Sequence, residues 1–127
     1  TPTDRKERSM FLSDQQISDY HTNGFISVKG LFSKSDIETM RAAYDVVWER
    51  AQEICDSLTT NARYVHEENG ARFTYQQHTL RFVAWCGHAH PTFKSFGEDQ
   101  RLLTIASQLL DSSSMEQLIN QIHFLPV

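Results

Sequence analysis

The chain has 127 residues, 12 basic against 16 acidic side chains for a net charge of -4, and is 39% hydrophobic and 11% aromatic. That content excludes a disordered chain, and the negative balance excludes an obvious nucleic-acid binder. At this length one domain is expected, and no run of the chain approaches the ~18 apolar residues of a membrane span.

Two cysteines, Cys55 and Cys86, lack CxxC spacing. They point to free thiols in a reducing compartment and hence to a cytoplasmic protein. Residues 1–10 mix charges without periodicity and carry no apolar leader-like run, the pattern of a flexible, solvated N-terminal arm. The domain proper is expected over residues 11–127.

Leu12, Ser13 and Gln16 predict a helix start, with Ser13 as N-cap, Gln16 as its capping-box partner and Leu12 stapled to Ile17. Asn23-Gly24 ends that helix, and the apolar residues 25–28 read as a strand. A second capping box, Ser35 with Glu38, opens a long helix whose apolar stripe runs through Ile37, Met40, Tyr44, Val47, Trp48, Ala51, Ile54, Cys55 and Leu58. Between residues 59 and 79 the apolar periodicity lapses into a long loop or a hairpin. Asn69-Gly70 is a hairpin turn signal, with Tyr64, Val65 and His66 placed to pair with Phe73, Thr74 and Tyr75; as a loop, the segment would be a candidate lid.

Residues 80–86 read as a buried strand in which Arg81 stands out, because a buried guanidinium needs a carboxylate or phosphate partner. Residues 87–91 break the strand, Pro91 opens one or two helical turns, and Glu98-Asp99 open another amphipathic helix that ends near Asp111. The last stretch, residues 117–125, alternates as a strand with Gln121 and His123 on one side; that side faces either water or a ligand. The whole is an α+β pattern without repeats.

Several residues invite chemistry. His88 and His90 could offer two imidazoles, and His66 with Glu68 forms an H-x-E pair that, joined by His123, would meet a two-His-one-carboxylate count. Such pairs also arise by chance in polar loops. Cys55 and Cys86 fall in apolar stretches, where thiols are usually inert. The chain holds no glycine-rich phosphate loop and no serine-nucleophile elbow.

The series Leu12-Ser13, Gln16, Tyr20, Gly24-Phe25, Gly30-Leu31-Phe32-Ser33, Ile37, Met40-Arg41 resembles the N-terminal region of the phytanoyl-CoA dioxygenase family, which comprises iron(II)- and 2-oxoglutarate-dependent oxygenases. The resemblance continues through Arg81, His90-Pro91, Asp99 to Leu110 and Asn120 to Pro126, so it spans residues 11–127. It implies N-terminal helices packed on part of a double-stranded β-helix (jelly-roll or cupin-like) sheet, with the barrel incomplete in this chain. It also implies that Gln121 and His123, and more weakly Arg81, contact cosubstrate or substrate. The sequence departs from the family in two places. Leu125 stands where many members carry a Lys suited to a carboxylate of 2-oxoglutarate. The H-x-D metal motif and the distal His, which follow this strand in the family, do not occur before Val127.

The resemblance therefore implies the N-terminal part of an oxygenase that hydroxylates a small-molecule substrate, with Fe(II) and 2-oxoglutarate bound only in the complete enzyme. The expected partner is a C-terminal half or another chain covering the terminal strand. The alternative is a truncated, non-catalytic paralogue serving as a protein-interaction module.

Overall fold

The structure, a computed structural model, describes residues 12–124. The N-terminal arm and Leu125 lie outside the described residues. The described residues divide into two compact units, one of residues 12–33 with 98–116, the other of residues 34–97 with 117–124.

The first unit is helical. Helix α1, Asp14–Asn23, begins as its sequence dictates: the Ser13 hydroxyl accepts the Gln16 N–H at 3.1 Å, and the Gln16 side chain accepts the Ser13 N–H at 2.8 Å. Gly24 ends it at φ 84°, where its N–H reaches the Tyr20 carbonyl. Residues 25–28 form no strand: Phe25 is exposed, and among the described residues no neighbouring strand offers its backbone a ladder. The unit's second helix, Gln100–Leu110, is capped by the Asp99 carboxylate, which accepts the Arg101 N–H. The Gln108 side chain accepts the Leu12 N–H at 2.7 Å and ties the start of α1 to this helix.

The second unit is α+β. Helix α2, Lys34–Asp56, starts one residue before the expected cap, so Ser35 lies inside the first turn and its carbonyl accepts the Thr39 hydroxyl. Strands β1, Tyr64–Glu68, and β2, Ala71–Gln76, form a hairpin around Asn69-Gly70, both at positive φ, with Tyr64 opposite Tyr75 and His66 opposite Phe73. Residues 59–79 are thus mainly hairpin. A second two-residue turn, Gln77-His78, also has both residues at positive φ and leads into β3, Thr79–Ala84. Trp85 at φ 55° then diverts the chain into a 3-10 turn over Cys86–His88. Helix α3, Pro91–Gly97, follows, and β4 is confined to Gln121–His123, shorter than the strand expected over residues 117–125. The sheet is antiparallel throughout, in the order β1-β2-β3-β4, and is not closed. The helix Gln100–Leu110 of the first unit is α4.

The core lies between α2 and one face of this sheet. Val47, Ala51, Ile54 and Cys55 pack with Ala71, Phe73, Tyr75, Leu80, Val83 and Phe124; each large side chain fully buried there contributes about 1.5–3 kcal/mol of transfer free energy. The Tyr75 hydroxyl donates to the Ala51 carbonyl at 2.7 Å, so burying that ring leaves no polar atom unpaired. The stripe on α2 is only partly core. Ile37, Tyr44 and Trp48 remain more than a third exposed, and Tyr44 and Trp48 set their rings against Phe124.

Candidate functional site

The face of the sheet turned away from α2 is built by register. Val65, Thr74, Phe82 and His123 stand in one row across the four strands, and Glu67, Arg72, Ala84 and Gln121 in the next. Because side chains alternate along a strand, these two rows share the face opposite Phe73 and Val83. Gln121 and His123 are exposed there, and the His123 ring stacks on Phe82 with centroids 5.4 Å apart. Arg72 and Glu67 form a cross-strand ion pair at 3.0 Å.

Arg81 reaches this face through a β-bulge. Thr74 pairs with Phe82 but Tyr75 with Leu80, so β3 carries one extra residue, Arg81. Leu80 and Val83 both belong to the core, and the two residues between them do not. Both are partly exposed. The sequence expectation of a buried, acid-paired guanidinium is corrected accordingly: among the described residues Arg81 has no carboxylate against it, because the bulge turns it away from the core. Its carbonyl accepts the Phe124 N–H at 2.8 Å, which anchors β4.

The other candidates do not assemble. His66 lies on the α2 side with its ring edge against Phe73, and the sheet separates it from His123. Its buried Nε2 makes no hydrogen bond and stands 3.7 Å from Glu68 Oε1. Glu68 is taken instead by Arg50, with contacts of 2.6 and 2.9 Å that hold its carboxyl below the ordinary value. His88 lies against Gly70 and Trp85, whereas His90 accepts the Thr92 N–H and meets Phe93. Among the described residues no three His, Cys, Asp or Glu side chains gather where they could hold a metal ion. Burial raises the Cys55 thiol and pushes Cys86 up to about 11, so neither is a ready nucleophile.

Two features were not legible beforehand. Asn120 Oδ1 accepts from the Cys86 thiol at 2.8 Å and the Gly87 N–H at 2.9 Å, and its carbonyl accepts the Cys86 N–H. This clamp fixes the entry to β4, and the unpaired donors at the strand break Cys86-Gly87 were its only sequence signal. On the opposite side of the sheet, Ile37, Met40, Tyr44, Phe93 and Ile122 line an apolar concavity of about 510 Å³, with Arg41 and Asp45 at its rim. It is distinct from the polar face that carries Gln121 and His123, and the chemistry-bearing side chains lie on that face. Among the described residues no helix is long and apolar enough to cross a membrane. Comparisons with protein-family models, with curated proteins and with solved structures find no match to this chain.

Proposed function

We propose that the chain supplies the N-terminal part of an iron(II)- and 2-oxoglutarate-dependent oxygenase that hydroxylates a small-molecule substrate, and that its sheet forms part of a double-stranded β-helix. The observation that carries this reading is the convergence of Gln121, His123 and Arg81 on the sheet face that α2 leaves uncovered. These are the residues to which the family resemblance gives cosubstrate or substrate contacts. An open sheet whose polar side chains lie on the face away from the helix is what one wall of such a pocket requires.

The described residues do not make an iron site, so no step on this chain runs through iron. In the complete enzyme the metal would be held by an H-x-D pair and a distal His from further chain or from a second chain, and would supply oxidation coupled to decarboxylation of 2-oxoglutarate. This chain's own part is to present Gln121 and His123 as hydrogen-bonding groups and to shield one side of the pocket from water.

A second reading is a non-catalytic interaction module. It is favoured by the outer edge of β4, which no described strand covers, and by Leu118 and Ile119 exposed just before it. The intact mass of the protein purified from its source, followed by an assay of iron-dependent succinate formation from 2-oxoglutarate, separates the two. A protein well above 14.7 kDa that forms succinate supports the oxygenase. A 14.7 kDa protein that forms none, alone or with its co-purifying partners, overturns it in favour of the module.

A further inference from the structure

Among the described arginines, Arg81 alone is both partly buried and without an acidic or hydrogen-bonding partner. Arg50 is held by Glu68 and Glu53, Arg72 by Glu67, and Arg101 by Asp99. Arg41 and Arg63 lack an acid but are exposed, so water serves them. A guanidinium partly withdrawn from water without a counter-ion gives up some hydration that a bound anion would replace.

The bulge at Arg81 adds a second, independent observation. In a regular strand running from a core-facing Leu80, Phe82 would turn into the core and Arg81 would stand alone on the other face. The extra residue puts Phe82 beside Arg81 instead, and Phe82 carries the stacked ring of His123. A cation thus stands next in the strand to a phenyl ring that carries a stacked imidazole, all on the face away from the core. Bulges forgo ladder hydrogen bonds and commonly re-aim side chains next to binding sites.

We propose that Arg81, Phe82 and His123 form an anion subsite that takes the carboxylate or phosphate group of a small molecule. The guanidinium meets two oxygens of the anion in its fork geometry, the imidazole N–H donates to it, and the ring pair keeps water off one side. The inference rests on the oxygenase reading only in assigning that reading an anionic ligand; the subsite itself is a property of β3 and β4.

The test is a titration of the metal-free 127-residue chain, followed by two-dimensional amide NMR at constant ionic strength. The probes are 2-oxoglutarate, succinate and inorganic phosphate, with chloride as the control. Saturable shifts at residues 81, 82 and 123 are expected. Saturation by the dicarboxylates alone identifies a carboxylate site, and saturation by phosphate a phosphate site. Arg81→Gln should weaken binding at least about tenfold, and Arg81→Lys, which keeps the charge and loses the fork, by a smaller factor. No saturable shift with any of the three anions overturns the proposal, as do equal affinities in the wild type and in a folded Arg81→Gln or Arg81→Lys variant. Arg81-dependent binding without succinate formation by the source protein sinks the oxygenase reading and leaves the subsite standing; turnover without Arg81-dependent binding does the reverse.

Discussion

Phe82 and His123 face each other across β3 and β4 with their rings 28° from parallel, and they form one of the three register pairs between these strands among the described residues. Removing either ring should cost more than an exposed contact normally does, because the pair also sets the register of a three-residue strand. His123→Ala and Phe82→Leu should couple by about 0.5–1.5 kcal/mol in a double-mutant cycle read from denaturation midpoints. Strict additivity would show that the stacking is incidental.

Gly97 is a glycine that a neighbour demands. A Cβ there would stand 2.9 Å from Asn120 Nδ2 and 3.3 Å from Gln117 Nε2. Asn120 cannot yield freely, since its Oδ1 is held by Cys86 and Gly87. Gly97→Ala should therefore destabilise by about 1–2 kcal/mol, despite the usual helix preference for Ala. In an Asn120→Ala background the same change should become neutral or stabilising, as thermal melts of the four proteins would show.

The Gln77-His78 turn has both residues at positive φ, a conformation that costs most side chains energy. Replacing the pair by Asn-Gly should stabilise the fold by about 1 kcal/mol or more. The backbone contacts there, Gln77 N–H to the Asn61 carbonyl and the Cys55 thiol to the His78 carbonyl, need no particular side chain at either position. A lower denaturation midpoint would contradict this account of the turn.

Glu68 titrates below its ordinary value of 4.5 chiefly because Arg50 hydrogen-bonds its carboxylate. The stabilisation is complete above pH 4.5 and is lost as pH falls through the depressed value. Both side chains are partly exposed, so the effect is modest and screened by salt. Glu68→Gln should flatten the acid limb of stability against pH, and high salt should flatten the wild-type limb in the same way.

Cys86 lies at the opposite end of the pH scale. Its thiol rises from 9.0 to about 11, chiefly through burial, so its contribution to stability is full below pH 9.0 and is lost as pH climbs through 11. At pH 8 the thiolate fraction falls about hundredfold, and labelling by a thiol reagent should slow by at least that factor against the unfolded chain. Labelling at the unfolded rate would mean that the site opens.

How much of this was legible in the sequence varied with the range of the forces involved. Ser13, Gln16 and Gly24 specify the bounds of α1 because capping is settled within four residues, and Asn69-Gly70 specifies the first hairpin and its register for the same reason. The expectation for residues 25–28 failed because a strand needs a neighbour, and apolar composition does not supply one. The stripe on α2 reads as one face in the sequence, yet only the stretch opposite β2 and β3 is covered, which leaves Ile37 and Tyr44 exposed.

The sequence by itself determined the α+β composition, the helix caps, the first hairpin and the candidate residues Gln121, His123 and Arg81, all of which depend on neighbours along the chain. Only the tertiary structure decided that these three share one face. Strands β3 and β4 are far apart in sequence, and their pairing and the extra residue at Arg81 are set by how Leu80, Val83, Ile122 and Phe124 pack toward α2. That packing is a long-range balance of buried area against ladder hydrogen bonds, and no local pattern encodes it.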